Sequence, residues 1–543
     1  MTSVSPAPGT HRDGFVPIPA AFAAAYRAAG YWTGDTLGDL LRDAARQWPD
    51  RPALHTADGV RDYARLDTEA DARAHGFRAH GITPGDRVLV QLPNTPEFVL
   101  VLFGLLRAGA VPVLALPAHR RAEIEHLARL SGAVAYVIAD RTTDFDYREL
   151  AATLQRQLPA LRRVFVQGDP GPFVNLNTVT GHGDSLPTPE SGDIALMLVS
   201  GGTTGLPKLI ARTHDDYVYN ARHSAAVCAL DSGDVYLVTL PAAHNFPLAC
   251  PGILGAIAVG ASVAFTADPS PEAAFAAIAR HRATVTAVVP PLAQLWCAAV
   301  DWEEADLSSL RLLQVGGARL PDVNARAVHP ALGARLQQVF GMAEGLLNYT
   351  RLDDSDELIC TTQGRPLSPA DELRVVDPEG RDVPPGEEGE LLVRGPYTIR
   401  GYYRAPEHNA RAFTPDGYYR SGDLVRRPPT GHLIVSGRLK DVINRGGENI
   451  SCDELEEHLL AHPAVRHAAA IGLPDPALGE KVCAVLVVAG PAPALTDLKR
   501  FLTARGLAPY KFPDLLRTTA TLPVTAVGKI DKKALRATFT DAE

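Results

Sequence analysis

Apolar residues along this chain come mostly in short continuous runs separated by helically spaced stretches. Leu37 to Trp48 repeats its apolar positions with helical period, Arg87-Val-Leu-Val-Gln-Leu92 reads as a strand, and Glu97 to Arg107 reads as a buried helix. Val111 to Leu116, Val134 to Ala139, Val235 to Thr239, Ala283 to Val289 and Arg311 to Val315 continue as buried strands. Such alternation predicts layered α/β structure. From Glu388 the pattern turns β-rich, with strands at Gly389 to Arg394 and Gly431 to Ser436. Beyond Val442 it becomes compact α+β. Ser451-Cys-Asp-Glu454 is a capping box that starts a helix running to about Ala461. Strands at Ala468 to Leu473 and Val482 to Val488 and a helix at Leu495 to Arg505 follow.

The predicted fold class is therefore α/β. A large domain over residues 1–437, built of α/β subdomains and a β-rich one, precedes a small α+β domain over 438–543. Its 543 residues exceed what one core supports, which agrees with two domains. One stretch, Phe246 to Phe265, is uncharged over about a membrane span, but Pro247, Pro251, Gly252, Gly255 and Gly260 interrupt it. A buried helix with irregular entry is expected there. A net charge of -9 argues against nucleic acid or an anionic membrane as main partner. Six scattered cysteines without a Cys-x-x-Cys pair read as reduced thiols. Met1 to Pro19 lacks the apolar core of a signal peptide, so a cytoplasmic protein is expected.

The chemistry begins at Ser200-Gly201-Gly202-Thr203-Thr204-Gly205-Leu206-Pro207-Lys208, between the strand-like runs Ile194 to Val199 and Leu209 to Thr213. A glycine-rich loop turns backbone N–H groups toward an anion, the hydroxyls add donors, and Lys208 adds a mobile positive charge. It lacks the Gly-Lys-Ser/Thr ending of a Walker A loop and the Gly-x-Gly-x-x-Gly spacing of dinucleotide folds. Lysine is scarce: eight among 53 basic residues, none before Lys208.

Further runs follow in order: Gly316-Gly317-Ala318, Gln338-Val339-Phe340-Gly341-Met342-Ala343-Glu344, Tyr419-Arg-Ser-Gly-Asp423-Leu, Gly437-Arg438-Leu-Lys440-Asp, Asn444-Arg-Gly446-Gly447-Glu-Asn449, and Pro523 through Gly528-Lys529-Ile-Asp531. Together they resemble the adenylate-forming superfamily of acyl-CoA ligases, luciferases and peptide-synthetase adenylation domains, over essentially the whole chain. The resemblance implies ATP and Mg²⁺. Ser200 to Lys208 would hold the β,γ-phosphates, and Glu344 would hold Mg²⁺ as a hard oxygen donor. Gly316, Gly317 and Ala318 with Val339, Phe340 and Gly341 would flank adenine. Asp423 would accept from the ribose hydroxyls, with Arg438 reaching ribose or phosphate. Lys529 would bridge the acid's carboxylate and the α-phosphate. Ala343 departs from the threonine of many members and forgoes one polar contact.

His244-Asn245-Phe246-Pro-Leu-Ala-Cys250-Pro narrows the acid. Amino-acid-activating relatives carry aspartate where Asn245 falls, so a neutral amide points to an acid without an α-amine. The segment resembles the free-standing aryl-acid AMP ligases of siderophore-type pathways, which activate salicylate or dihydroxybenzoate. By that resemblance His244 belongs to the catalytic end of the pocket, Asn245 would bond the ortho hydroxyl, and Phe246 would pack on the ring. Ala318, Ala343, Cys250 and Leu347 would line the rest. Dihydroxybenzoate enzymes usually have serine and valine at the Cys250 and Leu347 positions, so salicylate is the expected acid.

The resemblance also implies a second step: the small domain turns about Lys440 and brings Gly446 and Gly447 to the site, admitting a pantetheine chain. The thiol acceptor, coenzyme A or a carrier protein, stays open. Dihydroxybenzoate activation and acyl-CoA ligation of another aromatic acid are the alternative activities. A non-catalytic adenylate binder would be expected to lack Lys529, Glu344 or Asp423, and all three are present.

Overall fold

The computed structural model describes residues 13–142, 145–183, 185–200, 207–445, 448–475, 478–505, 507, 509–525 and 528–540. Among these, a nine-stranded and a seven-stranded sheet form the body of the molecule. The seven-stranded sheet runs in the order Leu209–Thr213, Ile194–Val199, Val111–Leu114, Arg87–Gln91, Ala135–Ala139, Arg163–Gln167, Val174–Asn175, parallel except for its first pair. The centre of the nine-stranded sheet is also parallel, with Leu312–Gly316 between Val285–Val288 and Arg335–Gly341.

The continuous apolar runs arise because these strands are covered on both faces. In Arg87–Gln91, Val88 and Val90 enter a central core while Leu89 enters a second one, as alternating side chains must. The central core takes side chains from both sheets and from the helices Leu37–Gln47, Tyr63–Ala79, Pro96–Arg107 and Gly252–Ala258. The middle helix Pro96–Arg107 is buried from Phe98 onward, so its apolar residues run all round rather than along one stripe. Each fully buried Phe or Leu there contributes about 1.5–3 kcal/mol. The outer faces are closed by Arg121–Ser131 and Tyr147–Gln157 on the seven-stranded sheet. Pro271–His281, Pro290–Ala299 and Asp322–Leu332 do the same on the other. The result is helix, sheet, helix, sheet, helix.

The uncharged stretch after Phe246 is buried and enters its helix irregularly, as expected, but is not one helix throughout. It forms two short helices, Asn245–Ala249 and Gly252–Ala258, and a strand, Ser262–Phe265. Gly252 stands between the helices at φ +59°, where a Cβ would lie 2.3 Å from the carbonyl oxygen of Pro247. Only glycine fits, and one continuous helix does not.

A four-stranded antiparallel sheet, Glu372–Val376, Glu388–Arg394, Tyr419–Arg426, Ile434–Arg438, makes the β-rich part. The last strand falls three residues beyond its expected start at Gly431. The small C-terminal domain is a five-stranded sheet beginning at Val442–Arg445, with helices Cys452–Leu460, Leu495–Ala504 and Lys532–Thr540. In its strand Gly479–Val488, Val482, Ala484 and Leu486 face one core and Cys483 and Val485 the other. Ser451 caps Cys452–Leu460 by accepting from the Glu454 N–H at 3.3 Å. The α/β class with a large N-terminal and a small C-terminal domain is thus borne out.

Candidate active site

The strands Ile194–Val199 and Leu209–Thr213 pair antiparallel, and the loop between them is pinned where it leaves the sheet. The Ser200 N–H donates to the Lys208 carbonyl at 2.9 Å, and the Lys208 N–H donates to Ser200 Oγ at 2.9 Å. Gly201, Gly202, Thr203, Thr204 and Gly205 lie outside the described residues. Lys208 Nζ stands 5.5 Å from the centroid of the Tyr402 ring.

Tyr402 connects that lysine to Glu344. Its hydroxyl donates to Glu344 Oε1 at 2.6 Å and lies 2.9 Å from the Tyr419 hydroxyl, which is left to donate to Tyr402. Burial and the Glu344 charge push the Tyr402 hydroxyl far above its usual range, so it stays a proton donor. Glu344 rides on the turn between Arg335–Gly341 and Leu347–Tyr349. Met342 N–H donates to the Leu346 carbonyl at 3.1 Å, and Ile399 N–H to the Glu344 carbonyl at 2.8 Å. The fully buried Arg212 pairs with Asp216 at 2.9 Å and donates to the carbonyls of Ala343 at 2.8 Å and Tyr397 at 3.0 Å. Sequence reasoning missed Tyr402 and Arg212. Their partners lie 58 and 131 positions away, and no local spacing marks such pairs.

Two glycines explain the next motif. A Cβ on Gly316 would lie 2.6 Å from the Val339 carbonyl oxygen and 3.0 Å from the Phe246 ring. Gly317 has φ +87°, and a Cβ there would lie 3.1 Å from Lys529 Cε. Bare backbone thus lets strand, aromatic ring and lysine stem meet. Gly316 pairs in register with Val339; Phe340 is half-buried, and Ala318 and Gly341 are exposed at the edge. Asp423, 3% exposed, faces Arg438 across the strands and accepts from its Nε at 2.7 Å.

His244 caps Asn245–Ala249, its Nδ1 accepting from Phe246 N–H at 3.2 Å. Its pKa is pushed down to about 3, first by burial and then by the charge of Lys529. That ring is therefore neutral at ordinary pH, and the lysine of the small domain acts on a histidine of the large one. Asn245 is buried; its Oδ1 accepts from Tyr217 Oη at 2.7 Å, and its Nδ2 lies 3.4 Å from Cys250 Sγ. Burial pushes the Cys250 thiol up to about 12, so it stays neutral. Leu347, 2% exposed, packs under Gly341.

The structure thus brings Lys208 and Glu344 together through Tyr402, and Gly316, Gly317, His244, Phe246 and Lys529 around one glycine turn, while Asp423 and Arg438 pair with each other on the strands Tyr419–Arg426 and Ile434–Arg438. Gly446, Gly447 and the side chain of Lys440 lie outside the described residues. Among the described residues no group of three His, Cys, Asp or Glu side chains could hold a metal. One carboxylate, Glu344, joined through Tyr402 to Lys208, suits Mg²⁺, which binds through one or two carboxylates, waters and substrate phosphates. No helix among the described residues is long and apolar enough to cross a membrane.

Comparison with known proteins agrees with this geometry. The AMP-binding enzyme family matches residues 41–403, and the AMP-binding enzyme C-terminal domain matches 454–529. The chain is 57% identical over 538 residues to a salicyl-AMP ligase / salicyl-S-ArCP synthetase of Mycobacterium tuberculosis, covering 98% of this chain and 95% of that protein. It is 51% identical over 523 residues to a 2,3-dihydroxybenzoate-AMP ligase of Bacillus subtilis, covering 96% and 97%. An apo structure of MbtA from Mycobacterium smegmatis superposes with a TM-score of 0.76 at 58% identity, covering 96% of this chain and 98% of that one. The chain is an enzyme of the AMP-binding family, in the aryl-acid AMP ligase branch of the adenylate-forming superfamily.

Proposed function

We propose that this enzyme joins salicylate to ATP, giving salicyl-AMP and pyrophosphate, and then passes the salicyl group to a pantetheine thiol on an aryl carrier protein. What supports the reading is the stem of Lys529 against Gly317, with its charge acting on His244, so that a cation would stand between the residues assigned to nucleotide and acid. A carboxylate is a poor nucleophile toward a polyanion, so cations must stand beside both as they meet. The acid's oxygen attacks the α-phosphorus and the bond to pyrophosphate breaks. Lys529 holds the carboxylate and α-phosphate together, while Ser200 to Lys208 grips the β,γ-phosphates. Glu344 would hold Mg²⁺, which would supply charge neutralisation for the pyrophosphate. Asp423 and Arg438 orient the ribose, and Gly316 to Ala318 with Val339 to Gly341 take the adenine.

Asn245, Phe246 and His244, with Ala318 and Ala343, are assigned to the acid. The Asn245 Oδ1 is committed to Tyr217, so the Nδ2 proton not directed at Cys250 Sγ is assigned as donor to the ortho hydroxyl. Cys250 offers a neutral thiol that already accepts from Asn245 Nδ2 at 3.4 Å and donates to the Asn245 carbonyl at 3.5 Å, a weak partner for a second ring hydroxyl. Salicylate therefore fits better than dihydroxybenzoate. In the second step the thiol attacks the acyl carbon and AMP leaves, after residues 438–543 turn on residues 1–437 about Lys440. Gly446 and Gly447 then pass the pantetheine arm. The identity to a salicyl-S-ArCP synthetase favours a carrier protein over coenzyme A as acceptor.

The test is pyrophosphate exchange with salicylate, 2,3-dihydroxybenzoate, benzoate and anthranilate. Transfer to holo-carrier protein and to coenzyme A is then measured. Salicylate should give the highest kcat/KM and the carrier protein the faster transfer. Preference for dihydroxybenzoate would overturn the substrate, and preference for coenzyme A the acceptor.

A further inference from the structure

Three of the eight lysines lie at positions 529, 532 and 533, which as sequence reads like a charged tail. Lys533 is exposed and fits that description. Lys532 does not. Its Nζ stands 2.8 Å from Glu456 Oε1 and 3.2 Å from Asp453 Oδ1, with side-chain exposures of 13% for Lys532 and 14% for Glu456. Glu456 Oε1 also accepts the Ala470 N–H at 2.7 Å, so both charges are embedded in a fixed network. Burial alone would lower the Lys532 pKa, yet the two carboxylates hold it well above its usual value.

We infer that Lys532 is a positioning residue for Lys529, clamping the loop that carries it to the helix Cys452–Leu460. The connection is short and stiff. Val524 bridges Ile530, and the Lys529 N–H donates to Thr525 Oγ1 at 3.2 Å. Asp531 N–H donates to the Pro523 carbonyl at 2.8 Å, and Asp531 Oδ1 accepts from Ala534 N–H at 2.9 Å, starting the helix Lys532–Thr540. Lys529 thus hangs from the first turn of that helix, and Lys532 ties this turn to Cys452–Leu460, while Leu535 packs the helix on the small sheet.

The helix it is tied to also touches the large domain. Glu457, next to Glu456, pairs with Arg319 at 2.9 Å, and Arg319 stands two residues beyond Gly317, the backbone against which Lys529 lies. One helix therefore holds both the lysine loop and the glycine turn that receives it. A compact ammonium buried between two carboxylates fixes a point in the fold, and a displacement of about 1 Å at a reacting group can cost on the order of 100-fold in rate.

This inference rests on the proposal that Lys529 serves adenylate formation. Its test measures both half-reactions in Lys532→Met/Glu456→Gln, a pair chosen to leave no buried charge alone, and in Lys532→Arg. The folded double variant should form acyl-adenylate about 100-fold more slowly than wild type, chiefly in kcat. Thioester formation from supplied salicyl-adenylate should stay within about threefold, and Lys532→Arg should recover adenylation to within about fivefold. If the double variant fails to fold, Asp453→Asn alone should show the same imbalance at about tenfold. Equal loss in both half-reactions, or wild-type adenylation in a folded variant, would overturn the anchoring role. A wild type that exchanges pyrophosphate with no acid would instead overturn the proposed function.

Discussion

Tyr402→Phe removes one oxygen and leaves the ring that Lys208 overlies. The lost contact is a 2.6 Å hydrogen bond to the Glu344 carboxylate, with the Tyr419 hydroxyl 2.9 Å behind it. Hydrogen bonds to charged groups contribute about 1.5–3 kcal/mol. If that energy serves to aim the carboxylate, its loss appears in the adenylation barrier, where about 1.4 kcal/mol is a factor of ten. The variant should therefore lose about 10- to 100-fold in kcat/KM for pyrophosphate exchange and need more Mg²⁺ for half-maximal rate. Melting temperature should change little, because Phe fills the same volume among Phe413 and Tyr419. The assay is pyrophosphate exchange against a Mg²⁺ titration, with thioester formation from supplied adenylate as control. Exchange within twofold of wild type at every Mg²⁺ concentration would show that Glu344 needs no help from Tyr402.

Asn245→Ala should weaken salicylate more than benzoate, because only salicylate brings an ortho hydroxyl to the buried amide; equal losses in kcat/KM would make the amide structural. Cys250→Ser with Leu347→Val should shift relative efficiency toward dihydroxybenzoate by about tenfold, and an unchanged ratio would remove both residues from the specificity argument. His214 is buried with its pKa pushed down to about 4 by burial, and its Nδ1 accepts the Leu37 N–H at 3.1 Å. Its neutral form belongs to the folded state, so the unfolded chain binds the extra proton and stability falls as pH drops from about 6.5 toward 4. Between pH 7 and 5 the wild type should lose about 2 kcal/mol more than His214→Gln in guanidinium unfolding, and parallel losses would contradict the assignment.

How much of this was legible in the sequence depends on distance along the chain. Strands such as Arg87–Gln91 and helices such as Pro96–Arg107 were readable because burial on every side leaves continuous apolar runs. The motif loops were readable because their runs follow in the order of a known superfamily, and Gly317 at φ +87° shows the local demand that its glycine meets. The segment after Phe246 was read correctly as buried helix with an irregular entry, but its extent was not, because hydrophobicity reports burial whereas Gly252 at positive φ decides where a helix breaks. Tyr402 on Glu344, Arg212 on Ala343 and Tyr217 on Asn245 were invisible, since each couples elements that meet only in the folded chain. Lys532 was misleading for the same reason: next to Lys533 it looks like solvated charge, and only the packing of Glu456 against it shows otherwise.

The account stands most directly on Lys529, whose stem lies against Gly317 and whose charge reaches His244. Lys529→Ala should be examined in single turnover, with salicyl-adenylate formation and salicyl transfer from supplied adenylate to holo-carrier protein measured on the same preparation. Adenylate formation should fall by about 100-fold or more while transfer stays near the wild-type rate. Loss of both steps together, or of neither, would contradict it.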